Sequence, residues 1–326
     1  MTTETSSAPA PLTRFVTEDE GGLRLDRWIR RHFPALTNGQ VQKWIRTGQI
    51  RLDGKRTSAE SRLKAGQQLR LPPFALQPPA AGAFNHDKRK AARLKKLILF
   101  EDEDVIVLNK PAGLAVQGGS GLKENLDDEL MLLSLDGKTR PKLVHRLDRE
   151  TSGVLLIARN AFAAARLAAS FRHHDTIKLY WALTAGVPKP RRGLIEAPLF
   201  KQGHKMRVGG GPNAKDAATL YHVMDHAGKN MACVLLRPLT GRTHQLRAHL
   251  AHKGTPIWGD PLYGAPQEND LDMGKGLHLH ARRIIIPHPR RGMIDITAPL
   301  DQEMKKSWQA LGFSEDKGDL TSIPAP

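Results

Sequence analysis

Asp148 is placed where a carboxylate could react. It lies in LVHRLDRETSGVLLIA, residues 143–158, where an apolar run breaks off after Val144 and resumes at Val154. Arg146 and Arg149 flank it, and Thr151–Ser152–Gly153 follow. Four chemistries compete for this pattern. On a plain surface turn, Asp148 would pair with Arg146 or Arg149 and add little to stability, as exposed ion pairs do. An aspartic-protease loop needs Thr or Ser and then Gly directly after the carboxylate, in two copies that share a proton. Here two residues separate Asp148 from Thr151, and no second copy exists. A Ser152 nucleophile would sit in a G-x-S-x-G elbow, which is missing. The fourth reading, a lone aspartate acting covalently, ranks first. The end of an apolar strand would hold it rigidly, and a neighbouring guanidinium would keep it ionised.

Two other stretches carry reactive groups. LTGRTHQLRAHLAHKGTPIWGDPLYG, residues 239–264, reads as a turn running into a helix. Arg242, Gln245, His249 and His252 share one face of it, with Leu246 and Leu250 in the apolar row. His244, His249 and His252 invite a zinc reading. Only the last two share a face, no cysteine or suitably spaced carboxylate joins them, and HExxH is absent, so no metal is expected. TIKLYWALTAG, residues 176–186, sets Tyr180 among strand residues, where its plainest role is packing.

The elements that must position these groups follow from hydrophobic periodicity. LILFEDEDVIVLNKPAG reads as strand, acidic turn and strand, broken at Lys110–Pro111. Further strands are expected in KLYWALTAGV, ATLYHVMDHAGKNMACVLLRPLTG and LHLHARRIIIPHP, and helices at 161–174, 243–253 and 301–312. No repeat of fixed period is present. Many antiparallel-type strands with few helices imply an α+β domain over residues 97–312.

A different module precedes it. LRLDRWIRRHF buries Leu25, Trp28 and Ile29 at helical spacing, with Arg27, Arg30 and Arg31 outside. TNGQVQKWIRTG opens with Thr37 and Gln40 in a capping-box pattern, buries Val41, Trp44 and Ile45, and stops at Gly48. QIRLDGKRT follows as a strand turning at Asp53–Gly54, and LKAGQQLRLPP as a last short strand. The expected layout is a disordered lead over 1–21, this small α/β module over 22–72, a linker over 73–96, the main domain over 97–312, and a flexible tail over 313–326. The linker's Pro/Ala-rich half should be an extended tether and its basic half a mobile arm.

The chain has 326 residues and a net charge of +17, unevenly spread. Residues 22–72 hold twelve Lys and Arg against three acids, and residues 85–96 hold six against one, so the remaining residues are close to neutral. Segregation of this kind points to a polyanion, and nucleic acid is favoured. No basic stretch has the bulky apolar face of a membrane-surface helix, and no apolar run approaches the ~20 residues that span a bilayer. The first residues lack the layout of a signal peptide, and Glu4 with a single Arg14 argues against a transit peptide. The one cysteine, Cys233, excludes an internal disulfide and fits a reducing cytoplasm.

HRLDRETSG, KLYWAL, GRTHQLRAHLAHKGTPIWGDPLYG and NKPAGLAVQGGSG (109–121) together resemble the RluA-type family of ribosomal and transfer RNA pseudouridine synthases, over residues 97 to 312. RLDRWIRRHFP…VQKWIRTGQIRLDGK…LKAGQQLRL resembles the small RNA-binding domain named after ribosomal protein S-four. The resemblance implies a mixed, mainly antiparallel catalytic domain behind an S-four-like domain, the arrangement of members that modify large-subunit ribosomal RNA. VQGGSG resembles the branch acting near the peptidyl-transferase centre.

The implied reaction breaks a uridine's glycosidic bond, rotates the uracil and rejoins it through carbon 5. It uses no cofactor and no metal. The target base must first leave its stack. By resemblance Asp148 is the catalytic carboxylate and Arg242 its basic partner, with Tyr180 facing the flipped base. Arg146 fills the gap the base leaves, Leu246 packs under the uracil, and Lys110 and Thr151 shape the pocket. Whether Asp148 attacks the sugar, attacks the ring or acts first as a base is left open by the sequence. Arg27, Arg30, Arg31, Lys43, Arg46 and Arg51 are the expected RNA contacts. A cytoplasmic monomer acting on ribosomal RNA is the implied setting. The competing class is a non-catalytic RNA-binding or ribosome-assembly factor. A DNA-binding reading has no recognition-helix signature to support it.

Overall fold

The computed structural model describes residues 11–33, 36, 38–73, 81–118, 124–173, 175–264 and 272–315. It divides into two units, Met1–Lys95 with Gln117–Arg140, and Lys96–Val116 with Pro141–Pro326.

The first unit contains β1 (Leu12–Phe15), α1 (Leu25–His32), α2 (Asn38–Arg46), β2 (Arg51–Leu52), β3 (Lys55–Arg56), β4 (Gln68–Leu71), α3 (Ala81–Lys95) and α4 (Leu126–Glu129). Its four strands form a sheet in the order β1–β4–β2–β3. Leu25, Trp28 and Ile29 of α1 pack with Val41 of α2 and with Leu69 and Leu71 of β4, the core that helical periodicity anticipates. The two-residue turn sits at Asp53 and Gly54, both at positive φ (49° and 74°), as a tight hairpin requires. Thr37, the expected cap, lies outside the described residues.

The module begins earlier than residue 22. β1 pairs along β4 from Leu12↔Leu71 to Phe15↔Gln68, and Val16 is buried. A four-residue edge strand with one half-buried side has too little periodicity to read alone. The expectation of a mobile arm after residue 85 is also corrected, because its residues lie in α3. Leu94 is fully buried, Lys90 Nζ lies 3.0 Å from Glu124 Oε1 and 3.3 Å from Glu129 Oε1, and Arg93 NH2 lies 2.8 Å from Glu129 Oε2. Those acids come from the segment 117–140, which the sequence alone places in the second domain. Opposite charge far along the chain gives the basic run its partners. The Pro/Ala-rich residues 74–80 lie outside the described residues.

The second unit contains β5 (Ile98–Glu101), β6 (Val105–Lys110), β7 (Lys142–Leu143), β8 (Ser152–Ala158), α5 (Ala161–Arg172), β9 (Ile177–Ala185), β10 (Arg192–Glu196), β11 (Leu199–Gln202), β12 (Lys205–Val208), β13 (Ala218–Ala227), β14 (Met231–Pro238), α6 (Gln245–His252), β15 (Leu279–Pro287), β16 (Met293–Thr297) and α7 (Gln302–Ala310). One sheet runs β10–β13–β14–β9–β15–β8–β6–β5, with β16 on β15 and β7 on β8, while β11 and β12 form a separate hairpin. Among the described strands only β8–β15 is parallel, so the mixed, mainly antiparallel α+β architecture expected from the sequence is the one observed.

Alternation along β9 sorts its side chains between two cores. Leu179, Trp181 and Leu183 pack with Trp308 of α7, whereas Tyr180 and Ala182 pack with Leu246 and Leu250 of α6. Tyr180 is thereby on the face that carries α6. All seven residues of β8 are buried, which explains its unbroken apolar run. The expected tail from 313 is part of the fold at its start, since the Phe313 ring packs edge-on against Trp308 at 5.9 Å. Residues 316–326 lie outside the described residues.

Candidate active site

The connection from β7 to β8 carries Asp148. Thr151 N–H donates to the Asp148 carbonyl at 3.1 Å and closes a four-residue turn. Behind it, Lys110 is fully buried, and its Nζ donates to the carbonyls of Pro111 (2.9 Å), Leu114 (2.9 Å) and Arg149 (3.0 Å). One ammonium thus joins the loop after β6 to the Asp148 turn, and burial pushes its pKa down to about 7. Lys110, which the resemblance has shaping the pocket, is absent from the cavity lining and joins the loops behind it.

On the other side, Leu156 N–H donates to His145 Nε2 at 2.8 Å, and the His145 ring stacks on Phe171 with centroids 4.7 Å apart. Burial, helped by the charge of Lys178, pushes His145 down to about 3, which keeps it neutral and able to accept. Ser152 is buried, with Oγ 2.8 Å from His280 Nδ1 and donating to Asp301 Oδ2 at 2.5 Å. It ties β8 to β15 and α7. Gly153 is required where it stands. Its φ is +104°, and a Cβ there would lie 2.2 Å from the Ala281 carbonyl oxygen on β15.

A cavity of about 360 Å³ opens beside Asp148, within the usual range of small-molecule sites. Leu246 and Leu279 give it an apolar wall, Tyr180 and Lys178 of β9 another side, and Thr151 and the exposed Arg146 complete the Asp148 side. The Tyr180 hydroxyl is pushed up by burial and by the Asp148 charge, so it stays protonated. Asp148 keeps 21% of its side chain exposed, the accessibility a reacting carboxylate needs.

The guanidinium nearest Asp148 is Arg247, whose NH1 lies 4.0 Å from Oδ2. Arg242 lines the cavity but is exposed, and its Nε donates to the Asp216 carbonyl at 3.0 Å. Arg242 lies in the turn before α6, while Arg247, on the first turn of α6, is buried against Asp260 by two hydrogen bonds of 2.8 and 2.7 Å. His244 Nε2 also faces Asp148 Oδ2, at 3.9 Å. Gln245 anchors this turn by accepting from Arg242 N–H (3.0 Å) and donating to Thr219 Oγ1 (2.9 Å) of β13. His249 spends both ring nitrogens in the core, on Thr219 Oγ1 (2.9 Å) and the Ala197 carbonyl (3.0 Å). His252 is exposed.

The sequence reading gave no role to Arg247, Lys178, Asp260 or Tyr263, and weighed His244 only as a metal ligand. A signal for the first existed: Arg247 adjoins Leu246, and a potential counter-ion, Asp260, lies in the same block. In the first unit, Arg27, Arg31, Lys43 and Arg46 are exposed on α1 and α2, and Arg51 donates through NH1 to the Gly54 carbonyl at 3.0 Å. Arg30 lies on α1, but its side chain is outside the described residues, as are residues 119–121 of VQGGSG.

A lone accessible carboxylate beside a guanidinium, with a phenol and apolar walls around it, suits a planar polar ring that is to be attacked or deprotonated. Residues 104–252 match the RNA pseudouridylate synthase family and residues 23–69 the S4 domain. The chain is 36% identical over 304 residues to ribosomal large subunit pseudouridine synthase C of Vibrio vulnificus (strain CMCP6), covering 92% of this chain and 96% of that protein. It is 35% identical over 321 residues to the Escherichia coli (strain K12) protein of the same name, covering 95% and 99%. The solved structure of human RNA pseudouridylate synthase domain containing 4 superposes with a TM-score of 0.61 at 31% identity, covering 70% of this chain and 98% of that one. On this match in sequence and fold, the chain belongs to the RNA pseudouridylate synthase family.

Proposed function

We propose that this pseudouridine synthase isomerises uridines of large-subunit ribosomal RNA, with Asp148 as the group that starts the reaction. The observation carrying this reading is that Asp148 is the one carboxylate among the described residues lining the cavity, with a buried guanidinium 4.0 Å away. The reaction is balanced within the substrate. The N1–C1′ bond breaks and the C5–C1′ bond forms, while carbon 5 gives up a proton and N1 takes one up, so no external donor is consumed. The cavity admits a base only when it has left its stack, at a cost of a few kcal/mol. Tyr180 and Leu246 receive the flipped base between a phenol and an aliphatic face, and Arg146 occupies the gap left in the RNA. Arg247, held by Asp260, balances the carboxylate's charge in place of Arg242.

The first unit supplies affinity. Arg27, Arg30, Arg31, Lys43, Arg46 and Arg51 meet phosphates, which fits the concentration of charge in residues 22–72. The protein works as a monomer in the cytoplasm. Among the described residues, no helix is long and apolar enough to cross a membrane.

The deciding experiment uses ribosomal RNA carrying tritium at uracil carbon 5. The wild-type protein releases tritium, and Asp148→Asn does not while still binding RNA. Binding without release by the wild type would favour the assembly-factor reading, and full release by Asp148→Asn would remove Asp148 from the chemistry.

A further inference from the structure

We infer that His244 is a positioning residue for the Asp148 carboxylate, held in its Nε2–H form by the hydroxyl of Tyr263. The inference rests on the proposed role of Asp148 and adds a residue to it. Three contacts carry it. Met206 N–H, from β12, donates to the Tyr263 oxygen at 2.7 Å. That oxygen lies 3.0 Å from His244 Nδ1, with the two rings edge-on at 89°. His244 Nε2, on the far side of the ring, lies 3.9 Å from Asp148 Oδ2.

The hydroxyl has a single proton. With its oxygen already accepting from Met206, the hydroxyl is assigned as the donor to Nδ1, which leaves the imidazole hydrogen on Nε2. That hydrogen faces the carboxylate. Arg247 NH1 approaches the same oxygen, Oδ2, at 4.0 Å. Two donors from α6 and its entry turn therefore flank Oδ2, which leaves Oδ1 to engage the nucleoside. Distances just beyond hydrogen-bond range are usual before substrate closes a site.

The backbone of His244 is an independent sign of constraint. It sits at φ 51°, ψ 19°, in the left-handed region, at the entry to α6. Non-glycine residues are uncommon there, and those that persist cluster at active sites and tight turns. The charged and titratable groups around the ring are Asp148, Arg247, Asp260, Arg146 and Tyr263. Burial lowers the imidazole's proton affinity more than Asp148 restores it, so the ring is neutral.

Substitution by Gln and by Asn separates this role from packing. The side-chain NH2 of Gln reaches roughly where Nε2–H lies, whereas that of Asn reaches only the Nδ1 position. Asn is the better residue in left-handed backbone, so a purely structural His244 would be replaced better by Asn. The expected result is that His244→Asn lowers kcat on the order of 10–100-fold with KM for RNA little changed, as loss of an orienting neighbour does. His244→Gln recovers most of that loss. Nitrogen-15 histidine spectra of the full-length protein should show a neutral ring with hydrogen on Nε2, shifting to a tautomer mixture in Tyr263→Phe.

Asn matching or exceeding Gln, with both variants folded by thermal melt, would overturn the inference. So would a wild-type spectrum with hydrogen on Nδ1. An inactive wild type would instead count against the proposed function, and the spectrum would still decide the tautomer.

Discussion

Arg247 holds Asp260 through Nε and NH2, at 2.8 and 2.7 Å, and turns NH1 toward Asp148 Oδ2, 4.0 Å away. Neither partner of the first pair is appreciably exposed. Burial alone would raise the Asp260 pKa, but the guanidinium holds it below the usual carboxylate range. Asp260 Oδ1 also accepts from Leu262 N–H (2.9 Å) and Tyr263 N–H (3.1 Å). The loop after α6 thereby fixes Arg247 and Tyr263 with one carboxylate.

Asp260→Asn should accordingly damage both stability and turnover. Breaking one partner of a buried pair costs about 3–5 kcal/mol, and a loosened Arg247 should lower kcat roughly 10–100-fold. Urea unfolding and tritium release measure the two effects. Wild-type turnover in a folded Asp260→Asn protein would show that Arg247 needs no anchor.

Gly153→Ala should be poorly tolerated. The new methyl would meet the Ala281 carbonyl oxygen at 2.2 Å and its nitrogen at 2.7 Å, both backbone atoms of the neighbouring strand. Overpacking with strand displacement costs about 1–3 kcal/mol, and positive φ adds ~1–2 kcal/mol. A fall in Tm of roughly 5–15 °C follows for a domain of this size. A melt unchanged within a degree would mean that β8 and β15 do not approach so closely.

Lys110→Met removes the donor to three carbonyls while keeping the length of the side chain. The Asp148 turn then loses its tie to the loop after β6, so kcat should fall more than RNA affinity. Filter binding and tritium release on the same preparation separate the two. A loss confined to affinity would place Lys110 on the RNA.

How far the sequence reached depended on how local each signal was. Alternation along β9 and the apolar run of β8 were legible because burial on a sheet imposes period two or none. The Asp148 turn was legible because its polar residues interrupt such a run. Arg247 was not. Helical spacing put Arg242 and Gln245 on one face, but α6 starts only at Gln245, so Arg242 never joined the helix that the spacing assumed. The link between α3 and the acids near Glu129 was hidden for another reason. Each half reads as a solvated charge run until the fold brings them together, 36 residues apart at Arg93 and Glu129.

Stability should fall on mild acidification. Burial pushes His145 down to about 3 and His280 down to about 4, whereas an unfolded histidine takes up its proton near pH 6.5. Both shifts are downward, so their stabilising effect is complete above about pH 6.5. As pH drops below that, the unfolded chain binds protons that the folded chain refuses. The loss continues until the folded-state values are reached, at up to ~1.4 kcal/mol per pH unit for each histidine. Urea midpoints at pH 7, 6 and 5 should decline in step. A flat midpoint over that interval would contradict two buried neutral imidazoles.

The division of labour between the two units makes a prediction about salt. Arg27, Arg31, Lys43 and Arg46 are exposed on α1 and α2, and each phosphate that such a cation neutralises releases counterions. The slope of log K against log salt changes by about 0.7–0.9 for every phosphate no longer neutralised. Replacing all four by Ala should therefore flatten the slope by as much as ~3 and weaken binding most at low salt. Turnover at saturating RNA should stay within a few-fold of wild type, because none of the four lines the cavity. An unchanged slope would move RNA affinity to the second unit, and a collapse of kcat at saturation would mean that the first unit takes part in presenting the uridine to Asp148.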